Sequence, residues 1–422
     1  MYIRKIEITN IKSTKHLELS FPAPAGWHVI IGDNGSGKTT LIRSVALALV
    51  GAEFAQGLRQ KWADWISKSV GKAEIRLWIE NSEDDRHTGR SAPLKNQQIQ
   101  NILVITRSDD EAKLTKVKPT DGPLPERFNW GSGEGWFSAA YGPFRRFQGG
   151  NTEWSKVYYA QPKLGAHLSA FGEDVALTEA TEWLKQLNYK ALEGNQESHQ
   201  VLDGVIKLVN SEDFLPHGVK LSKISSEGVF FQDAFNNEIS VNQLSDGYRS
   251  ILSLTFELLR QLTFTYRQEY VFHAIWQGDM KIPVTGVVLI DEVDAHLHPS
   301  WQARIGSWFT KYFPNIQFIV ATHSPLVCRA AKAGTIWRLG VPGEDDSAEE
   351  ITGQARERLL MGNILEAYGT DLFGEKVSIS EEAQKELSEL ANLTAKIVTN
   401  NELTEDEKKK YELLSSRHPT RS

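Results

Sequence analysis

With 422 residues, 40% of them hydrophobic and 24% charged, the chain has material for two or three domains with full apolar cores. Its formal net charge of −7 excludes a chain-wide electrostatic surface for nucleic acid, so any DNA contact has to be local or shared with a partner. The single cysteine, Cys328, allows no internal disulfide, no stretch reaches the roughly 18 apolar residues of a bilayer crossing, and the opening MYIRKIEITN lacks the apolar centre of a secretory signal. These features predict a reducing, cytoplasmic setting with no membrane partner.

Taken in chain order, Ile6 and Ile8, then Leu17, Leu19 and Phe21, alternate as half-buried strands do, with a polar turn from Asn10 to His16 between them. Val29, Ile30 and Ile31 form a short β-branched run expected of a strand covered on both faces, and a helix is predicted from Thr39 to about Leu49. From about Ala52 to Val241 the pattern loosens and reads as an insertion. It holds a strand at Ile102 to Thr106, a Pro, Gly and Trp-rich passage from Pro119 to Gly150, helix spacing from Leu177 to Val209, and a strand pair from Val219 turned at Asn236-Asn237. Order returns with a helix from about Asp246, a buried strand at Gly286 to Glu292, a helix opened by Pro299, and a further strand at Gln317 to Thr322. Buried strands alternating with amphipathic helices predict a mostly parallel α/β core. Past Gly343 the chain turns acidic, then helical from Ser380 to Ser416 with a break at Thr399–Asn401; Leu387, Leu390, Leu393 and Ile397 form one apolar side, suited to capping the head or docking a partner.

Three motifs carry chemistry. Gly32 to Thr39 fits G-x-x-x-x-G-K-[ST] between a buried strand and a helix, which turns backbone N–H groups and a helix N-terminus toward a polyphosphate. Lys38 is expected on the β and γ phosphates and the Thr39 hydroxyl on Mg²⁺. GVVLIDE ends a strand with Asp291, placed for the Mg²⁺ shell, and Glu292, placed to polarise an attacking water. LSDGYRS (Leu244 to Ser250) puts Ser245 and Gly247 at another helix N-terminus. A single nucleotide has no evident need of two such caps, so the second is expected to act on the nucleotide of another subunit. His296 and His298 make a poor zinc pair, with no cysteine nearby.

Together GDNGSGKTT, LSDGYRS, VVLIDEVD and ATHSP resemble the Walker A, signature, Walker B with D-loop, and switch-histidine motifs of ABC-type ATPase heads. The resemblance covers Met1 to Val50 and Val241 to Leu339. It implies an α/β fold, a P-loop NTPase mixed sheet with N-terminal antiparallel strands, as a head over residues 1–340 with an inserted region at about 55–240 and a helical appendage over 341–422. It further implies MgATP held by Gly32, Asn34, Gly35, Ser36, Gly37, Lys38, Thr39 and Thr40 of one subunit and by Ser245 and Gly247 of the other. Glu292, His323 and Lys38 would be the catalytic set, His323 reaching the γ-phosphate, Thr39 and Asp291 the metal ligands, and Asp294 part of the subunit-crossing D-loop.

IDEVDAHLHPSWQ and FSAAYGPFRRF are similar to the soluble RecF/OLD-like ATPases; transporter heads carry LSGGQ, and the long heptads of SMC-type heads are absent. ILEAYGTDLFG and the charged helices after it resemble ATPase subunits of anti-phage systems of the Septu or retron type. The resemblance thus implies a homodimer or larger oligomer that hydrolyses ATP and controls a separate effector, such as a nuclease. The alternative is a RecF-like, ATP-gated DNA-repair protein. Two departures stand out. The glutamine of the Q-loop is missing, with Tyr141 to Arg146 in its region and Arg145 or Arg146 offered to phosphate or nucleic acid. No clustered Toprim acidic pattern follows Thr335. Trp130 and Trp136 are weighed for base stacking against simple packing.

Overall fold

The computed structural model describes residues 1–86, 97–108, 111–131, 135–145, 154, 157, 160–172, 178–212, 214–340, 348–362, 381–398 and 403–417. The chain divides into two compact units, Met1–Gly362 and Asn363–Ser422.

In the first unit β1 (Tyr2–Ile11), β2 (Thr14–Ser20), β4 (Lys72–Glu80), β5 (Gln98–Ser108) and β6 (Glu111–Val117) form an antiparallel sheet in the order β2-β1-β4-β5-β6. A second sheet runs β14-β13-β3-β12-β11-β7, from Ala348–Glu350 (β14), Ile336–Leu339 (β13), Gly26–Ile31 (β3), Ile316–Ala321 (β12), Gly286–Ile290 (β11) and Ser138–Tyr141 (β7). All its pairings are parallel except β13 with β14. Strands β3, β11 and β12 are buried at every position, as expected where both faces of a parallel sheet are covered. Helix α1 (Lys38–Val50) packs against β1, β4 and β5 of one sheet and β7, β11 and β12 of the other. Only Thr39 and Arg43 of its residues escape burial, so its apolar character runs all round rather than along one stripe.

The supposed insertion at 55–240 is largely head. Strands β4, β5 and β6 continue the N-terminal sheet, and β7 pairs with β11, because the edge of β1 and the edge of β11 both need ladder partners. The segment outside both sheets is α2 (Thr178–Leu192), α3 (Gln196–Val209) and a separate sheet of β8 (Lys220–Ser225), β9 (Gly228–Gln232) and β10 (Glu238–Ser240). The expected strand pair is thus three strands. The head also extends past 340, since β14 pairs with β13 and Ile351 N–H bonds the Ile336 carbonyl. The second unit holds Glu381–Val398 and Glu405–Arg417, packed through Leu390, Leu393 and Leu414. Ile397, expected on the apolar side, is 42% exposed. The Leu387 side chain, the break at Thr399–Asn401 and the ILEAYGTDLFG run lie outside the described residues. Among the described residues no single helix is long and apolar enough to cross a membrane.

Two buried amides join the sheets. Ile3 pairs with Ile79 of β4 next to a bulge between Ile3 and Lys5, but the pairing of β1 with β2 starts only at Lys5; Gln317 on β12 takes the place of a β2 partner, accepting from Ile3 N–H at 2.7 Å and donating to its carbonyl at 2.9 Å. Asn101 Nδ2 and Trp130 Nε1 both donate to the Ala48 carbonyl near the end of α1, at 2.8 and 2.9 Å.

His28 is buried in β3. Its Nε2 donates to the Pro24 carbonyl at 2.7 Å, so Nδ1 is the acceptor for Thr335 N–H at 3.2 Å. Burial pulls the ring down to about 4, against the ordinary value of 6.5, so it is neutral in the fold and gains a proton on unfolding. Its stabilising contribution is full above about pH 6.5 and declines as pH falls toward 4, by about 3 kcal/mol for this group. Thermal melts across that window should show His28→Gln losing less stability with acid than the parent chain; equal slopes would place the acid sensitivity elsewhere.

Candidate functional site

The loop from β3 into α1 is shaped by glycines with positive φ, Gly32, Gly35 and Gly37. A Cβ on Gly32 would lie 2.7 Å from Ser36 Oγ, so the tight curl requires glycine there. Asn34 and Gly35 are exposed at the loop's tip, and Lys38 and Thr40 are buried in the first turn of α1, whose N–H groups have no partner within the helix. Lys38 Nζ folds back to donate to the Gly32 and Asp33 carbonyls at 2.8 and 2.9 Å. Burial lowers its pKa, opposed by Asp291, Asp33, Glu292 and Asp294.

Asp291 follows β11, its N–H bonded to the Tyr141 carbonyl at 2.8 Å. The carboxylate is buried and accepts a hydrogen bond from Thr39; burial raises its pKa, with the Thr39 bond opposing. Its Oδ1 is buried and lacks a hydrogen-bond partner. An unsatisfied carboxylate oxygen beside a hydroxyl and a phosphate loop is a donor set suited to a hard divalent cation. Glu292 comes next, half-buried with φ of 45°, a left-handed conformation that costs a non-glycine residue roughly 1–2 kcal/mol. Glu292 is thus held in an uncommon conformation beside the phosphate loop.

His323 follows β12 as an exposed residue; partial desolvation and the positive charge of Lys38 lower its pKa, opposed by Asp294, Glu292 and Asp291. Thr322 fixes this turn. Its N–H bonds the Ile30 carbonyl at 3.1 Å, its hydroxyl donates to Asp294 Oδ1, and its Oγ1 accepts from Ser324 N–H at 3.0 Å. The Asp294 carboxylate, expected in a subunit-crossing loop, is therefore engaged within its own chain.

Ser245 is the N-cap of α4 (Asp246–Thr265), exposed and without a side-chain capping bond. Gly247 passes so close to the D-loop that a Cβ would lie 2.8 Å from the His296 carbonyl. Tyr248 packs edge-on to Trp301 at 4.9 Å in α5, defined as Pro299–Tyr312. Asp246, where transporter heads have glycine, pairs with Arg249.

Several expectations change. Arg145 does not face phosphate or nucleic acid: it is buried, donating to the carbonyls of Gly142, Asp291 and Glu292 and to Ser250 Oγ. Arg146 lies outside the described residues. Trp130 and Trp136 are 7% and 3% exposed, Trp136 under the Lys163 ammonium at 4.4 Å, so neither offers a ring for base stacking. His298 is occupied as the α5 N-cap, accepting from Ser300 N–H at 3.3 Å. Gln317 escaped the sequence reading because an isolated polar residue in an apolar run carries no period or spacing, and Thr322 and Ser250, though inside the ATHSP and LSDGYRS motifs, were given no role of their own.

The Gly32–Thr39 loop, Asp291 with Glu292, and His323 thus follow β3, β11 and β12, three adjacent parallel strands, at the same end. The fold is that of an ABC-type ATPase head. Residues 166–329, which hold Ser245, Asp291, Glu292 and His323 but not the phosphate loop, match the family model described as AAA domain, putative AbiEii toxin, Type IV TA system. The head is 26% identical over 350 residues to the Septu protein PtuA of Bacillus mycoides, covering 79% of this chain and 40% of that protein. It is 37% identical over 163 residues to the retron Ec83 probable ATPase of Escherichia coli, covering 36% of this chain and 28% of that one. The matched stretch therefore spans less than half of either relative. An SMC head solved with the C-terminal winged-helix domain of ScpA aligns at a TM-score of 0.47 and 18% identity, over 83% of this chain and 98% of the other.

Proposed function

We propose that this head is the ATP-hydrolysing subunit of an anti-phage defence complex, in which two copies close around MgATP and the closed state controls a separate effector such as a nuclease. The observation that carries the reading is the Asp291 carboxylate, buried beside Thr39 with one oxygen unpartnered, next to a phosphate loop and a glutamate. On binding nucleotide, Lys38 exchanges the Gly32 and Asp33 carbonyls for phosphate oxygens. Thr39 and Asp291 hold Mg²⁺, which when bound neutralises polyphosphate charge. Glu292 accepts a proton from the attacking water, and His323 donates a hydrogen bond to the γ-phosphate. The uncapped Ser245 hydroxyl and the N–H groups of α4 supply the second phosphate cap, in trans.

The defence role rests on the likeness to Septu and retron proteins. Of the residues offered for nucleic acid, Arg145, Trp130 and Trp136 are buried, which weakens the repair alternative. Cells carrying this chain with the gene beside it should survive phage infection, and the Lys38→Ala variant should not protect. ATP-gated, steeply salt-dependent binding of gapped DNA by the chain alone, with no protection, sinks the defence role.

A further inference from the structure

Arg145 takes no part in the chemistry above, yet its guanidinium is spent entirely inside the head. Nη1 donates to the Gly142 carbonyl at 2.9 Å and to the Asp291 carbonyl at 2.8 Å; Nη2 donates to the Glu292 carbonyl at 3.0 Å; Nε donates to Ser250 Oγ at 3.2 Å. These acceptors belong to three separate parts of the fold: the end of β7, the carboxylate turn after β11, and the first turns of α4. The anchor end is rigid, because Gly142 N–H bonds Ser169 Oγ at 3.0 Å and a Cβ on Gly142 would meet the Ser169 carbonyl at 2.2 Å. The grip on the turn is applied to the two carbonyls flanking the Glu292 α-carbon's peptide units, where the backbone holds φ of 45°. Burying a guanidinium is costly, and a lysine ammonium could not span this fork; only a planar group with five donors satisfies all four acceptors. The bond to Ser250 is the longest of the four and sits at the upper end of the normal range, so a shift of about 1 Å in α4 removes it.

We propose that Arg145 is a positioning residue that couples α4 to Glu292: with α4 seated, the guanidinium holds the Glu292 backbone in its left-handed conformation, and displacement of α4 frees it. Because Ser245 opens the same helix, closure of that helix on the nucleotide of a second copy is read at this chain's own base. The two sites of the pair thereby become cooperative. The inference rests on the reading above, in which Glu292 activates water and Ser245 acts in trans.

Ser250→Ala removes one hydroxyl and leaves the three carbonyl contacts in place. It should lower kcat about tenfold, the loss of one charge-assisted hydrogen bond, with KM for ATP unchanged. Cooperativity in ATP concentration should vanish, and Ser250→Thr, which keeps a hydroxyl, should restore both. Arg145→Lys should reduce kcat further at unchanged KM. If Ser250→Ala hydrolyses ATP with the parent's kcat and cooperativity while the parent pairs on ATP, the coupling is overturned and the proposed function stands. If the parent hydrolyses ATP without pairing, both are overturned.

Discussion

The Glu292→Gln variant is expected to lose steady-state phosphate release by a factor of about 10²–10⁴ while binding ATP as the parent does. Glutamine keeps the size and the hydrogen-bonding reach of the side chain but cannot accept the proton of the attacking water. Lys38, Thr39 and Asp291 are untouched, so the loop still takes nucleotide, and Arg145 still grips the same backbone carbonyls. With hydrolysis blocked and both phosphate caps intact, the closed pair should accumulate. Light scattering on this variant with ATP should read twice the chain mass, reverting when nucleotide is removed. Turnover at the parent's rate would remove Glu292 from the base role; single-chain mass under saturating ATP would remove the shared nucleotide.

The second large effect separates a shared site from a self-contained one. Lys38→Ala and Ser245→Arg should each abolish hydrolysis, the first through loss of the phosphate contact and the second by placing a long side chain over the exposed N-terminus of α4. Ser245 is solvent-exposed and makes no capping bond, so the arginine is accommodated without disturbing the core. In a mixed pair, one site combines both lesions and the other combines two intact halves. An equal mixture of the two inactive proteins should therefore regain activity up to roughly a quarter of the parent rate, since half the pairs are mixed and each carries one intact site of two, and less to the extent that coupling through Arg145 silences the base whose own α4 carries the arginine. Each protein alone must stay inactive. No recovery on mixing, with both variants folded and able to pair and with the coupling removed by Ser250→Ala in both, would place Ser245 and Lys38 in the same chain's site.

The motif residues were legible because the chemistry proposed for them constrains type and spacing together. A phosphate loop needs glycine where φ is positive and lysine and threonine one step into the helix, and Gly32, Gly37, Lys38 and Thr39 meet that requirement in a continuous segment. Buried parallel strands announce themselves as unbroken apolar runs, so β11 and β12 were found within one or two residues and β3 through its last three, Val29 to Ile31, of Gly26–Ile31. By contrast, β4 and β6 read as part of an insertion because their alternation is local, and which edge such a strand joins is decided by the ladder left open on another strand.

By itself, then, the sequence determined the α/β class, the phosphate loop, the carboxylate pair and the histidine at the end of β12, since each depends on neighbours along the chain. Only the tertiary structure decided that Arg145 points inward, that Gln317 pairs with the Ile3 backbone, that Trp130 and Trp136 are buried, and that Thr322 holds Asp294. A buried polar group is directed by whichever unpaired carbonyl, amide or hydroxyl lies within about 3 Å, and that partner stands up to hundreds of positions away in the chain.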